Sequence, residues 1–340
     1  MPTGTIKRED GLVTEVNTST VTVTFSETNT DKEVLQSVTE SSSDITAAAE
    51  VFVDNAIDEF AASISLTSAP EVLQVENLCK DSAKIICDNI DNFADMVATK
   101  KNFNLNDITN GAYKAMRKIV NSATAPINDI RGYAATVLKL MRLPATIVCM
   151  PGEIITAYAN MVRDIVKKFK NDPFGEKKVR NQYAVMKLSL QGAICAICEG
   201  TTFACGQSSS SAGGSSDGSQ DGFSSREDAI TAAEKVQEVF EAVKEKLDSE
   251  VGKDVLIETS ESYSALLEVY QKTVALVLNT AFSLRKRRVI VLGRDRQIIE
   301  LLAELYGDID SHIDEFIVDN NLMLDELKVL PMGKEVAYYV

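Results

Sequence analysis

Apolar residues recur along most of this chain at intervals of three and four, the spacing that places side chains on one face of an α-helix. The clearest run begins at Ile45, where Ala48, Ala49, Phe52, Val53, Ala56, Ile57, Phe60 and Ile64 form one stripe. Upstream, Thr30-x-x-Glu33 is a capping-box pattern, and Ser42/Ser43 offers a second N-cap. Ser68-Ala69-Pro70 stops that helix and starts another, with Pro at a tolerated early position. Its apolar face runs Val72, Val75, Leu78, Cys79, Ile85, Ile86, Ile90, Phe93 and Val97. Further helices are predicted over 104–123, 126–143, 144–169 with a kink at Pro151-Gly152, and 178–199. The last is apolar almost all round and reads as buried. Helical spacing resumes over 226–247 and 258–284, after a Gly/Ser-rich stretch, 206–225, expected to be a flexible loop within one bundle. Short connections imply antiparallel neighbours, so residues 30–284 are expected to form an elongated antiparallel helical bundle.

Both ends of the chain change period. Thr20 to Phe25 alternates, with Val21, Val23 and Phe25 on one side and threonines on the other. Leu12 to Val16 is expected to pair with it across Asn17-Thr18-Ser19, which makes residues 1–29 a small β-hairpin. Two strands alone are marginal in water, so this hairpin needs a sheet to join, in its own chain or in another subunit. At the other end, Val289 to Leu292 and Val336 to Val340 read as strands. Between them Ile298, Leu301, Leu302 and Leu305 form one helical face, and Ile309, Ile313, Phe316 and Ile317 form a second. Gly307 separates the two, and Pro331 with Gly333 makes a turn before the final strand. Residues 285–340 therefore read as a strand-helix-helix-strand unit. The fold class is mainly α, with small β elements at the two ends.

Charge narrows the partners. The 340 residues carry a formal net charge of −15, which repels phosphate backbones and argues against nucleic-acid binding. Four consecutive cations, Arg285, Lys286, Arg287 and Arg288, are the local exception, read as a solvated junction or as a contact for an acidic protein partner. The first thirty residues lack an apolar signal segment, and no stretch reaches eighteen uninterrupted apolar residues; the nearest, Met186 to Ile197, is broken by Lys187, Ser189 and Gln191. The expectation is a chain made in a cytoplasm with no membrane segment.

Candidate chemistry is sparse. Six cysteines lie mostly in apolar helical surroundings, and Cys195-x-x-Cys198 with Cys205 lacks the fourth ligand of a structural zinc site. A single histidine, His312, gives no Ser/His/Asp set. Asp308, Asp310 and Asp314 lack the glycine spacing and closing glutamate of a calcium loop. No catalytic residue, cofactor or metal is assigned, and the chain is not expected to be an enzyme.

The segments Leu305-Tyr306-Gly307-Asp308, Asp319-Asn320-Asn321-Leu322 and Leu330-Pro331-Met332-Gly333 resemble the small LysM-like modules of phage tail proteins, including tail protein X. Arg8-Glu9-Asp10-Gly11-Leu12-Val13, leading to Val21 through Glu27, resembles a β segment of the phage DNA circularisation (DNA circulation) proteins. In those proteins an Ala-rich helical region follows, similar to the one beginning near Ala47. The resemblance implies a structural protein of a contractile phage tail, or a related injection machine. Made in the host cytoplasm, it would sit in the virion at the baseplate and link hub and spike proteins to the tail tube. It also implies a homo-oligomeric ring, six-fold to match a tube. Candidate protein contacts are the Arg285–Arg288 run, Tyr306, Tyr338 and Tyr339 as amphipathic anchors, and the hairpin face of Val21, Val23 and Phe25. The competing reading is a cell-wall protein whose LysM-like module grips peptidoglycan. Where glycan-binding modules carry Gly-Asp-Thr, however, this chain has Asp295, Arg296 and Gln297.

Overall fold

The computed structural model describes residues 4–7, 13–16, 31–100, 111–121, 129–147, 150–170, 173–210, 222–251, 261–310, 312–324 and 326–339. The chain is mainly helical. Among the described residues eight helices precede the C-terminal region: α1 (Asp31–Ser63), α2 (Ala69–Lys100), α3 (Gly111–Asn121), α4 (Ile130–Ile147), α5 (Pro151–Lys168), α6 (Glu176–Ser210), α7 (Arg226–Val251) and α8 (Glu261–Ser283).

Helix α6 is the centre. It packs against α1, α2, α4, α5, α7 and α8, and nearly every side chain from Tyr183 to Cys205 is buried. A helix apolar on all sides has no face to offer water, so it is stable only when enclosed. Glu176–Gly206 is long enough to cross a membrane and holds an 18-residue window apolar enough to do so, but 94% of that window lies inside the bundle. Its neighbours instead have one apolar stripe each: Ile45, Ala49, Phe52, Ala56 and Phe60 of α1 turn inward, with Val75, Ile86, Ile90, Phe93 and Val97 of α2. Gly192 lets α4 come close; a Cβ there would lie 2.9 Å from both Leu138 Cδ2 and Met141 Sδ.

The few polar residues of α6 fix its register. Near its start the Asn181 amide donates to the Ser65 carbonyl and accepts from the Ser65 N–H, at 3.0 and 2.7 Å. Lys187 meets Glu59 at 2.9 Å, and Ser189 shares a hydrogen bond of 2.7 Å with Ser82. Farther along, both carboxylate oxygens of Glu199 accept from Arg142, at 2.7 and 2.6 Å. Arg142 also reaches Glu50 at 2.7 Å. Asn181 sits beside Ser65, Lys187 beside Glu59 and Glu199 near Glu50, so α1 runs antiparallel to α6.

Several boundaries differ from expectation. Pro144 lies within the last turn of α4 rather than opening the next helix, and the break falls later, with α5 starting at Pro151. Proline at the first position of α5 gives up only an N–H that would have no helical partner. Helix α6 continues to Ser210, past the expected end at Glu199, because Thr201, Thr202, Ala204 and Cys205 are still buried. Ser225 is fully buried and its hydroxyl accepts the Asp228 N–H at 3.2 Å, so the end of the predicted flexible loop is a helix cap. Near the N-terminus, β1 (Gly4–Lys7) pairs antiparallel with β2 (Val13–Val16). Thr20–Phe25, the partner expected for that strand, lies outside the described residues.

After α8 come β3 (Arg287–Val291), β4 (Arg296–Gln297), α9 (Ile298–Tyr306), α10 (Ile313–Asp319), β5 (Val329–Leu330) and β6 (Glu335–Tyr339). Strand β3 pairs antiparallel with β6, and β4 with β5. Leu292, Ile298, Leu301, Leu302, Phe316, Leu330 and Val336 form a small core of their own, separate from that of the bundle. Gly307 closes α9 at φ 76°, a left-handed turn that glycine makes without strain.

The Arg142–Glu199 pair is nearly buried, with side-chain exposures of 17% and 8%. Arg142→Met leaves the Glu199 carboxylate without its partner, and stability is expected to fall by about 3–5 kcal/mol. In the Arg142→Met/Glu199→Leu double variant most of that loss should be recovered. Denaturant unfolding midpoints of the three proteins check this.

Candidate interaction surface

The C-terminal unit is held to the bundle at one end of its β3–β6 sheet. The Arg226 N–H at the start of α7 donates to the Arg285 carbonyl at 3.1 Å. Next to it the Arg287 N–H donates to Glu227 Oε2 at 2.9 Å, and the Arg226 guanidinium lies 4.4 Å from the Phe282 ring centre. The run Arg285–Arg288 is thus a junction whose backbone is engaged while all four side chains stay exposed.

The three candidate tyrosines divide. The Tyr306 hydroxyl accepts the Tyr339 N–H at 3.1 Å, and its ring stacks on His312 at 4.2 Å between centres. The Tyr339 ring lies 5.5 Å from the Arg285 guanidinium; burial and then Asp319 push its phenol up, against the pull of Arg287. Tyr338 stands opposite Arg288 across the ladder and is half-buried. Tyr306 and Tyr339 therefore hold the unit's own strands and helices together, and the structure brings both to the junction with Arg285 and Arg287. Val21, Val23 and Phe25 lie outside the described residues.

Sequence reasoning missed Asn320. Its side chain accepts the Ala337 N–H at 2.6 Å and donates to the Ala337 carbonyl at 3.0 Å, which ties the end of α10 to β6. The signal was an Asn-Asn pair after a helix, and Asn321 does adopt a left-handed φ of 46°. Glu326, ion-paired with Lys334, and Asp295, which accepts the Met332 N–H at 2.7 Å, brace the turns at the far end of the unit. The unit as a whole also exposes apolar side chains. Nine of the thirteen exposed large apolar side chains among the described residues lie between Val289 and Met332, a concentration that marks an interaction site more often than a plain monomer surface.

The bundle interior is laid out for packing. Burial pushes the Cys79 and Cys198 thiols up to about 12, so both stay protonated at neutral pH and are poor nucleophiles. Among the described residues no His/Cys/Asp/Glu group could hold a metal ion. A groove of about 370 Å³ between α2 and α5, lined by Asn89, Phe93, Met96, Asn160, Arg163 and Asp164, is spanned by an Asn89–Asp164 hydrogen bond of 3.2 Å. It offers neither a nucleophile beside a base nor a pair of carboxylates. Glu59 is a half-buried acid with three polar partners. Burial alone would raise its carboxyl, but the Ser262 hydroxyl and N–H, then the Lys187 ammonium, hold it below the ordinary carboxylate value.

No protein-family model matches this chain, and no curated protein matches it either.

Two predictions follow from these contacts. A depressed carboxylate stabilises the fold above its unfolded value and loses that contribution as pH falls. Ser262→Ala should therefore cost about 1.5–3 kcal/mol at pH 7. The difference from the parent should hold above about pH 4.5 and shrink as pH falls below that value, read from urea unfolding at each pH. Asn320→Ala leaves both polar groups of Ala337 unsatisfied and should loosen the C-terminal unit by about 1–3 kcal/mol. Limited proteolysis should then cut within 285–340 faster, with the unfolding midpoint of the bundle unchanged.

Proposed function

We propose that this chain is a structural component of a contractile phage tail or related injection machine, placed at the baseplate where it links the hub to the tail tube. The observation that carries the reading is the C-terminal unit: a strand-helix-helix-strand arrangement with its own core, held by one end to a long helical bundle. On this reading residues 285–340 are the LysM-like module, residues 1–29 supply a further β contact, and the bundle spaces the two. Its contacts are made through protein surfaces, and no reaction is assigned to it.

The substitution of Asp295, Arg296 and Gln297 for the Gly-Asp-Thr of glycan-binding modules supports the scaffold reading over peptidoglycan binding. Here Asp295 and Arg296 serve the unit internally, Asp295 accepting the Met332 N–H and Arg296 pairing with Glu304.

Cross-linking mass spectrometry on purified tails tests the proposal. Cross-links from this chain to tube and hub subunits, at a stoichiometry matching a six-fold ring, are expected. Absence of the chain from intact particles, or saturable binding of the full chain to purified peptidoglycan, would overturn it.

A further inference from the structure

Strand β3 is an open edge. In its ladder with β6 the Leu292 N–H donates to the Lys334 carbonyl at 3.0 Å, and the Gly333 N–H donates back to the Leu292 carbonyl at 2.7 Å. Backbone direction alternates along an antiparallel strand, so Arg288 and Ile290 turn their polar groups towards Tyr338 and Val336 of β6. Arg287, Val289 and Val291 turn theirs the other way. On β6 the outward groups near the junction are engaged: Asn320 takes both those of Ala337, and Tyr306 takes the Tyr339 N–H. On β3 the Arg287 N–H is held by Glu227. The N–H and C=O groups of Val289 and Val291 are left facing outward, on residues 49% and 62% exposed. No proline interrupts this edge, and its two charges, Arg287 and Arg288, lie at the end next to the bundle, so the Val289–Val291 stretch is the part open to pairing.

We propose that a second copy of this chain adds across this edge, β3 against β3 and antiparallel about a two-fold axis, giving a four-stranded sheet in the order β6-β3-β3-β6. Outward groups must meet outward groups for such a ladder to close, and the Glu227 contact removes Arg287 from it. The register that meets both conditions sets Val289 of one copy opposite Val291 of the other, with Ile290 opposite Ile290. Four backbone hydrogen bonds form, two for each Val289–Val291 pair. Charge is compatible: Arg287 falls opposite Gly293 and Arg288 opposite Leu292, so no strand arginine faces another. The four valine side chains form one apolar cross-strand cluster. The two-fold contact is independent of the tail assignment and stands if that assignment fails.

Sedimentation velocity of the full chain at up to about 0.1 mM tests it, since a contact this small associates in the micromolar range or weaker. A species of twice the 37.1 kDa chain mass is expected. Val291→Lys should abolish that species with helical circular dichroism unchanged. Val318→Lys, at an equally exposed position on α10 away from the edge, should leave it intact. Register is read by oxidative cross-linking: Val289→Cys mixed with Val291→Cys protein should give a covalent dimer, and either variant alone should give far less. A parent chain that stays monomeric, a dimer that survives Val291→Lys, or equal cross-linking of either variant alone would each overturn the proposal.

Discussion

The enclosure of α6 is the constraint on which the rest of the structure depends. From Tyr183 to Cys205 it exposes almost nothing, so it forms only when helices on every side have closed around it. Hydrophobic burial drives that closure, but burial is indifferent to how far one apolar cylinder slides or turns against another. Direction and register come from the polar exceptions. Asn181 with Ser65, Lys187 with Glu59, Ser189 with Ser82 and Glu199 with Arg142 tie α6 to three different partners. A slip by one helical turn would leave several buried polar groups unpaired at once, each costing about 1–3 kcal/mol.

The same division of labour recurs on a smaller scale at the C-terminus. Seven buried apolar side chains, with six partly buried ones packed against them, make a small core for six short elements. Polar clamps complete it: Asn320 on Ala337, Tyr306 on Tyr339, Asp295 on Met332 and Lys334 on Glu326. These clamps point inward and consume the side chains that might otherwise be read as binding groups. Beside its exposed charges the unit leaves nine large apolar side chains outside, between Val289 and Met332, together with the unpaired edge of β3. A helical bundle carrying a small unit with its own core and exposed apolar side chains is the physical description on which the proposed scaffold reading rests.

Much of the fold was legible in the residues, because most of its helices have one apolar stripe and stripes are read by period. The α1 positions from Ala48 to Phe60 and the α2 positions from Val75 to Val97 fall where the spacing places them. The misreadings share a cause. Pro144 and Pro151 carry the same local signal, yet one lies inside a helix end and the other opens a helix; tertiary packing decides which. The buried Thr201, Thr202 and Ser225 look like loop residues in sequence and are tolerated because the Thr201 hydroxyl donates to the Ile197 carbonyl, the Thr202 hydroxyl meets that of Thr273 and the Ser225 hydroxyl accepts the Asp228 N–H. At the candidate surface the strands and cationic junction were legible. The function of Tyr306 as a clamp, the role of Asn320 and the open edge of β3 were not, since each depends on which residue lies across a turn or ladder.

The most direct test of this account is native-state hydrogen exchange on the full chain. Amides of α6 between Tyr183 and Cys205 should exchange last, at the free energy of global unfolding, while those of 287–339 open earlier as a separate unit. If α6 exchanged as fast as the outer helices, or if the C-terminal region opened only together with the bundle, the central claim would be contradicted.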